Sequence, residues 1–386
     1  MNMQKFSSLP NLENKRVFLR VDLNVPIKDK KVIDDYKIYK VIKTIEFLLR
    51  KKTVIIIATH LGKAKGRYNE DLSTEPIAKY LAKILDKKIK FIPEVIGSVT
   101  KKEIKSAKPG DIIFLENLRF KKGELDNDDK FAKELASLAD IYINDALAVS
   151  HRKQASVAAI KKYLPSYSGL LLESELKAFE RVLNPKKPLV VIMGGAKIKT
   201  KAPLIANLYK NSTRILLGGG LANSFLKYNK LEIGKSLCDE ESAKIIKKMM
   251  KEKSYKQKII LPLDVVVLTK EGRVQAKDVK NVLKTDTIFD IGPATISAYS
   301  AYIKEAQTLI WNGPMGKFED LDFRAGTIAI AILVASRSSG HAYGVVGGGE
   351  TVAALRSIRM IEYVDFVSTA GGAMLSYLGG EEMPGL

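Results

Sequence analysis

The chain has 386 residues, of which 46% are hydrophobic and 28% are charged. This balance is typical of a globular protein and excludes a largely disordered chain, because disordered segments are too poor in hydrophobic residues to form a core. At roughly 150 residues per domain the length predicts two domains, and the formal net charge of +21 leaves nucleic acid, an anionic membrane surface or an acidic substrate open as partners.

Short runs rich in Val and Ile alternate along the chain with longer stretches of helical period. The runs are RVFLRV, TVIIIAT, DIIFLE and DIYIND in the first half, and PLVVIM, RILLGGG, TLIWNG and AYGVVGGG in the second. Apolar runs separated by amphipathic helices are typical of parallel strands buried on both faces. The sequence therefore predicts an α/β protein with two doubly wound, parallel-sheet (Rossmann-like) domains.

The segment between the two halves is predicted to be a helix that joins the domains. Leucine and phenylalanine recur at helical spacing in GLLLESELKAFERVLNPKKP. The helix should stop near Asn184, because Pro185 disfavours helical geometry at the residue before it. We therefore expect an N-terminal domain over residues 1–168, an interdomain hinge helix over 169–185 and a C-terminal domain over 186–370.

The residues after the predicted strands differ between the two halves. Ligands of an open α/β sheet bind beyond the carboxyl ends of its strands. In the first half these positions carry polar and basic side chains, namely Asp22, Asn24, His60, Lys63, Arg119, His151 and Arg152. In the second half they carry glycines, namely Gly194, Gly195, Gly218–Gly220, Gly313, Gly316 and Gly347–Gly349. The pattern predicts a small polyanion in the first half and a nucleotide in the second.

Each of these features also has a purely structural interpretation. Glycine is common in strand-to-helix turns without any ligand, and the sequence has neither a GxxxxGK[ST] nor a GxGxxG motif. The number of such turns favours a phosphate site, as do Lys197 and Lys201, which are predicted to lie on one helix face. His60 and His151 fit a ligand contact and a hydrogen-bonded turn equally well.

The composition also bears on location and on other partners. The excess lysine is spread over helix-like stretches. Of the three explanations for the positive charge, we therefore favour a solvated surface first, acidic substrates second and nucleic acid last. We expect a cytoplasmic protein with no membrane span. The chain has a single cysteine, Cys238, it opens with MNMQKFSSLPNLENKR without an apolar leader, and it has no apolar run of ~18 residues. The three widely spaced histidines give little support to a structural zinc site.

Ten segments, in order, resemble the phosphoglycerate kinase family from about residue 15 to the last residue. They are KRVFLRVDLNVPI, ATHLGKAKG, FLENLRF, INDALAVSHR, VVIMGGAKIKTK, LLGGGLANSFL, FDIGPATI, LIWNGPMGKFE, VVGGGETVAAL and FVSTAGGAMLSYLGGEEMPGL. The resemblance implies reversible phosphoryl transfer between 1,3-bisphosphoglycerate and ADP, giving 3-phosphoglycerate and ATP in glycolysis and gluconeogenesis. It implies no covalent enzyme intermediate, closure of two lobes, and a segment 371–386 that completes the first domain.

By position, the resemblance also implies roles for individual residues. The implied substrate residues are Asp22, Asn24, Lys37, His60, Leu61, Gly62, Lys63, Arg119, His151 and Arg152. The implied nucleotide residues are Gly194, Gly195, Lys197, Lys201, Gly219, Asn312, Pro314, Glu319, Gly347, Gly348, Gly349, Glu350 and Thr351. The implied catalytic residues are Lys37, Lys201, Gly348 and Gly371. We expect a monomer that uses Mg²⁺ with ATP or ADP, and Glu350 would face this ion directly or through water.

Four positions depart from the family pattern. Lysine stands at 37 and 63, where arginine is the commoner residue, Glu350 stands in place of aspartate, and Gln154 replaces a second histidine after SHR. Lysine lacks the planar fork with which arginine binds oxyanions, so these changes bear on the rate more than on the reaction. An active kinase is the leading hypothesis. A protein that binds both ligands without turnover and a nucleic-acid-binding protein are the alternatives.

Overall fold

The computed structural model describes residues 3–239, 241 and 243–386. The chain forms two compact units: Met1–Leu176 with Glu382–Leu386 make the first unit, and Lys177–Glu381 make the second unit.

The boundary between the units lies within one helix. This helix spans Leu170–Leu183, so it ends next to Asn184, as the proline after it predicts. Residues 371–381 belong to the second unit, whereas only the last five residues, Glu382–Leu386, belong to the first. The return of the chain to the first unit is therefore shorter than the predicted segment 371–386. The hinge role of the helix stays a prediction.

The first unit is built on a parallel sheet. Its strands are β1 (Arg16–Val21), β2 (Ile27–Lys28), β3 (Lys31–Val32), β4 (Val54–Ala58), β5 (Ile89–Ile92), β6 (Ile112–Leu115), β7 (Ile141–Asp145) and β8 (Ser166–Ser168). Its helices are α1 (Tyr36–Arg50), α2 (Glu75–Leu85), α3 (Ser98–Ser106), α4 (Lys122–Leu125), α5 (Asp129–Ala136) and α6 (Leu147–Ser150), and α7 (Leu170–Leu183) leads into the second unit. The sheet order is β5-β6-β4-β1-β7-β8, and β2 and β3 form a hairpin.

Both faces of this sheet are covered by core. Along β1, Val17 and Leu19 pack into one apolar cluster and Phe18 packs into the other. Side chains alternate across a strand, so a strand that is buried on both faces is mostly apolar and does not alternate with polar residues. This is why RVFLRV has no polar alternation. Helix α1 covers one face through positions three and four apart, including Ile38, Val41 and Ile45.

The second unit repeats the plan. Its strands are β9 (Leu189–Met193), β10 (Arg214–Leu217), β11 (Ile259–Ile260), β12 (Asp264–Leu268), β13 (Val274–Asp278), β14 (Thr287–Ile291), β15 (Thr308–Asn312), β16 (Tyr343–Gly347) and β17 (Phe366–Val367). Its helices are α8 (Ile198–Leu208), α9 (Gly219–Tyr228), α10 (Ala243–Met250), α11 (Lys253–Lys258), α12 (Pro293–Glu305), α13 (Ala325–Ser338), α14 (Gly349–Ser357) and α15 (Gly372–Leu378). The parallel sheet has the order β11-β10-β9-β15-β16-β17, and β13-β12-β14 form a small antiparallel sheet.

The predicted fold class is confirmed. The eight predicted apolar runs are β1, β4, β6 and β7 in the first sheet and β9, β10, β15 and β16 in the second. The edge strands β5, β8, β11 and β17 were not predicted, because none of them contains an apolar run of more than two residues. Among the described residues, none of the helices is long and apolar enough to cross a membrane.

Candidate functional site

The predicted polar residues of the first half lie at one edge of the first sheet. They come after β1, β4, β6 and β7, which are neighbours in the sheet and run parallel. They are Asp22 and Asn24 after β1, the stretch His60–Lys63 after β4, Arg119 after β6, and His151 and Arg152 after β7 and α6. Because parallel strands end at the same edge, the topology brings these residues together.

Asp22 is the charged centre of this edge. Its Oδ2 lies 2.6 Å from Lys37 Nζ, and its Oδ1 lies 3.8 Å from His60 Nδ1. Burial raises the pKa of Asp22, but the charge of Lys37, its hydrogen bond and the charge of Arg20 outweigh burial and lower it to about 2. Asp22 therefore stays ionised and holds Lys37, which stands on the first turn of α1.

His60 is buried and neutral. Burial lowers the pKa of His60 well below its ordinary value, although the charge of Asp22 opposes this. Its Nδ1 lies 3.3 Å from the guanidinium Nη2 of Arg20, a group that can only donate. Nδ1 is therefore the acceptor, and the proton of the neutral ring is on Nε2.

Arg119 presents unsatisfied donors at the same edge. Its Nη1 donates to Gly62 O at 2.7 Å, while its Nε and Nη2 are buried and have no partner among the described residues. Burial lowers the pKa of Arg119 to about 10, and the nearby charges of Arg152 and Arg20 add to this effect. A buried guanidinium with two donor nitrogens free is suited to bind an oxyanion.

The remaining predicted residues of this edge differ in their exposure to solvent. Lys63, Asn24 and Arg152 are exposed, and Leu61 is buried. Asn24 Oδ1 accepts a hydrogen bond from Gly62 N at 2.9 Å, and Arg152 Nε donates to His151 Nε2 at 3.3 Å. The exposed cations are free to reach a ligand, whereas the loop around Gly62 is fixed from both sides.

Glycine turns come after the central strands of the second sheet. Gly194 follows β9, and a Cβ at this position would lie 1.8 Å from Pro314 O, so no side chain fits there. Gly195 N donates to Pro314 O at 2.9 Å, which ties the turn after β9 to the turn after β15. Gly348 has a φ of 100° and caps the N-terminus of α14. The apolar run at GVVGGGETV thus stops because β16 turns sharply into α14.

Lys201 lies on the first turn of α8 and is almost fully buried. Its Nζ donates to Gly194 O and, at 3.2 Å, to Asn312 O. Burial lowers the pKa of Lys201 to about 8, and the charge of Glu350 opposes this shift. Lys197 is the residue before the helix and is exposed. The prediction that Lys197 and Lys201 lie on one face of this helix is therefore wrong.

Two buried side chains connect the neighbouring glycine turns. Asn312 Nδ2 donates to Gly347 O at 2.9 Å, and Gly313 N donates to Thr351 Oγ1 at 2.7 Å. The turns after β15 and β16 are therefore fixed relative to each other before any ligand binds.

These turns border a cavity of about 290 Å³ within the second unit. The predicted residues that line it are Gly195, Gly219, Gly220, Pro314, Gly316, Glu319 and Glu350. Sequence reasoning missed the apolar wall, which consists of Leu237, Val265, Ile288, Phe289, Ile291 and Met315. Part of this wall comes from β12 and β14 of the small antiparallel sheet. Its signal in the sequence is the FDIGP segment, in which an apolar strand ends at a helix start.

Asp290 is a carboxyl group in the wall of this cavity. It accepts hydrogen bonds from Gly326 N at 2.6 Å and from Ile291 N at 2.9 Å. Burial nevertheless raises the pKa of Asp290 to about 7, because these two bonds only partly compensate for lost hydration.

Gly371 and Glu350 lie at the N-termini of two helices of the second unit. Gly371 has a φ of 53° and caps the N-terminus of α15. Glu350 lies on the first turn of α14 and reaches the cavity. Within residues 3–239, 241 and 243–386 there is no group of three or more His, Cys, Asp or Glu side chains that could hold a metal ion by itself.

The chain is similar to known proteins over its whole length. The family model of phosphoglycerate kinase matches residues 7–381. The phosphoglycerate kinase of Thermosipho africanus is 41% identical over 97% of this chain and 95% of its own length. That of Sinorhizobium medicae is 40% identical over 100% of this chain and 98% of its own length.

Solved structures agree with these matches. The structure of phosphoglycerate kinase from Coxiella burnetii has a TM-score of 0.86 at 39% identity and covers 100% of this chain and 98% of its own. The crystal structure of phosphoglycerate kinase from Pyrococcus horikoshii has a TM-score of 0.86 at 30% identity and covers 99% of this chain and 97% of its own. The chain therefore belongs to the phosphoglycerate kinase family, and it is a glycolytic kinase that acts on phosphoglycerate and ATP or ADP.

Proposed function

We propose that the phosphoglycerate substrate binds at the edge of the first sheet, on the cations that come after β1, β4, β6 and β7. The observation that carries this assignment is Arg119, whose buried Nε and Nη2 have no partner among the described residues. Lys37, Lys63 and Arg152 add positive charge around this guanidinium. A small molecule with a carboxylate and a phosphate needs such a convergence of cations.

The nucleotide is proposed to bind in the cavity of the second unit. The apolar wall around Phe289 and Leu237 suits a nucleobase, and the glycines Gly195 and Gly219 carry no side chain that would keep phosphate oxygens away from these turns. The N-terminus of α14 at Gly349 adds N–H donors that face an anion without side-chain help. Lys201 supplies a buried positive charge beneath these turns.

The donor set at Glu350 fits Mg²⁺. Magnesium usually takes one or two protein carboxylates together with substrate phosphates and several waters. Glu350 is such a single carboxylate, it lines the cavity, and it is close enough to Lys201 to oppose the lowering of the lysine pKa. When bound, Mg²⁺ neutralises negative charge on the phosphate oxygens.

The reaction needs positioning and charge more than a nucleophile of the protein. The bond from phosphorus to the carboxylate oxygen of the acyl phosphate breaks, and a bond from phosphorus to the terminal oxygen of ADP forms in line. Lys37 of the first unit and Lys201 of the second are proposed to neutralise negative charge on the equatorial oxygens of the transferred phosphoryl group. Because the substrates are assigned to different units, closure of the units must bring them together and exclude water.

A coupled assay with 3-phosphoglycerate and MgATP tests this proposal. In Arg119→Ala we expect the KM for 3-phosphoglycerate to rise at least tenfold while the KM for MgATP changes less than twofold. An unchanged KM for 3-phosphoglycerate would remove the first-unit assignment. Binding of both ligands without turnover in the parent would instead favour the binding-protein alternative.

The state and location of the protein are proposed from its composition. The single Cys238 suits a reducing cytoplasm, and each unit buries an apolar core without a partner chain, which is compatible with a monomer. Light scattering after gel filtration should give a mass near 42.7 kDa. A nucleic-acid role of the +21 charge predicts an affinity that falls steeply with salt, and the lack of binding at physiological salt would exclude it.

A further inference from the structure

The loop after β4 is held by side chains on both sides. Leu61 N donates to Asn117 Oδ1 at 3.2 Å, and Asn117 Nδ2 donates to Leu61 O at 2.8 Å. The next residue, Gly62, is held by Asn24 through its N–H and by Arg119 through its carbonyl. The backbone of two successive loop residues is thus paired completely with side chains from the ends of β1 and β6.

Asn117 is the centre of this arrangement. It is fully buried and lies two residues after β6. Its amide makes two further bonds, from Nδ2 to Leu72 O at 2.9 Å and from Arg119 N to Oδ1 at 3.0 Å. A side-chain amide has two N–H donors and an oxygen with two lone pairs. All four are used here, so the amide can face only one way, and an aspartate would set a carboxylate against two carbonyl oxygens.

These contacts connect Asn117 to two predicted substrate residues at once. Through Leu61 it fixes the backbone that carries His60 and Gly62, and through Arg119 N it fixes the start of the turn that carries the guanidinium. Arg119 in turn donates to Gly62 O, which closes the network. The amide of Asn117 is buried, so it acts on a ligand only through these neighbours.

We infer that Asn117 is a positioning residue for phosphoglycerate binding, which holds the His60–Gly62 loop and Arg119 in their binding geometry before the substrate arrives. The inference rests on the proposed substrate site in the first unit. It differs from a merely structural role, because it predicts a loss of affinity for one substrate only. A misplacement of about 1 Å in a binding group is enough to lower activity roughly 100-fold.

The test compares Asn117→Ala and Asn117→Asp with the parent. Both should raise the KM for 3-phosphoglycerate, and its Kd in calorimetry, at least tenfold, while the KM for MgATP changes less than twofold. The Ala variant adds no charge, so agreement between the two excludes a simple electrostatic effect. A folded Asn117→Ala protein with parental affinity for 3-phosphoglycerate would overturn the inference.

Thr53→Ala is the matched structural control. Thr53 is also fully buried, lies at the opposite end of β4, and donates its Oγ1 hydrogen to Leu48 O at 3.1 Å. This variant should lower the melting temperature without changing the KM for either substrate. If it raised the KM for 3-phosphoglycerate as much as Asn117→Ala does, the effect of Asn117 would be one of general stability.

Amide hydrogen exchange on the parent protein keeps the inference testable even if both Asn117 variants unfold. A loop fixed in advance requires that the Leu61 N–H exchange at least 100-fold slower than in an unfolded chain without substrate, and that 3-phosphoglycerate change this rate little. Fast exchange that slows only with substrate would overturn the inference. If Arg119→Ala leaves the KM for 3-phosphoglycerate unchanged, the proposed site itself fails, which distinguishes the two failures.

Discussion

Lys37 Nζ and Asp22 Oδ2 form an ion pair of 2.6 Å at the edge of the first sheet. Asp22 is buried at 7% exposure, whereas the Lys37 side chain keeps 28% of its surface exposed. The Asp22 carboxylate therefore holds the Lys37 ammonium group in place, while part of the Lys37 side chain faces solvent. The resemblance to the family implies an arginine at this position, and this chain instead holds a lysine in place with an acid.

Substitutions of Lys37 test its proposed role in transfer. Lys37→Ala should nearly abolish turnover at unchanged nucleotide affinity, because a cation near the transferred group acts on the transition state. An arginine at this position could add a second charge-assisted hydrogen bond, worth roughly 1.5 to 3 kcal/mol, which corresponds to at most about 10- to 100-fold in rate. Lys37→Arg should turn over as fast as the parent or faster. Steady-state kinetics decide this, and parental turnover in Lys37→Ala would show that position 37 is not catalytic.

The low pKa of Asp22 predicts how stability depends on acid. Its pKa is about 2 in the folded protein against an ordinary 3.8. The ionised form therefore stabilises the fold above pH 3.8, and this contribution is lost as the pH falls towards 2. Asp22→Asn should be less stable than the parent by about 2 kcal/mol at pH 7, and the difference should shrink below pH 4. Urea unfolding at several pH values measures it, and a difference that does not vary with pH would contradict the assignment.

The raised pKa of Asp290 predicts a dependence of stability on pH that is opposite to that of Asp22. Its pKa is raised from 3.8 to about 7, so protonation favours the folded state. The parent should lose stability relative to Asp290→Asn as the pH rises from 4 to 7, by at most about 4 kcal/mol. Urea unfolding of this pair over the same pH range provides the measurement. Parallel stability curves would mean that Asp290 is already ionised at pH 4.

The sequence predicted the site residues that directly follow strands, and it missed those whose role depends on packing against distant parts of the chain. Asp22 and His60 come after strands that read as buried, so their meeting at one edge follows from topology alone. Phe289 could not be placed, because Asp290 interrupts the apolar run of its own strand, β14, whose sequence is TIFDI. Lys197 was misplaced because helix starts are uncertain by a residue or more from sequence. Asn117 was missed because its role lies entirely in contacts with backbone from another strand end.

Glu350 is predicted to act through the metal ion. Glu350→Ala should weaken MgATP binding well beyond what Glu350→Asp does, because the shorter carboxylate can still bind Mg²⁺ through water. Calorimetry of ADP with and without Mg²⁺ gives a measure that is independent of turnover. In the parent, Mg²⁺ should tighten ADP binding, and in Glu350→Ala this gain should disappear. Equal gains in the Ala variant and the parent would remove the metal role.

Lys201 should set an alkaline limit on nucleotide use. Its pKa is lowered to about 8 by burial, so the free enzyme loses this positive charge as the pH rises above 8. The value of kcat/KM for MgATP reports ionisations of the free enzyme and should therefore fall above about pH 8. Bound phosphates favour the charged lysine, so kcat at saturating MgATP should hold to higher pH.

The variants of the two neighbouring lysines separate this limit from other alkaline effects. Lys197→Ala should keep the fall of kcat/KM above pH 8, because Lys197 is exposed and lies outside the helix. Lys201→Met carries no charge at any pH, so its residual kcat/KM should be low and should no longer fall between pH 7 and 9. Profiles of the nucleotide kcat/KM for the three proteins measure this. An alkaline fall that persists unchanged in Lys201→Met would assign the limit to another group, because a side chain that cannot titrate cannot produce it.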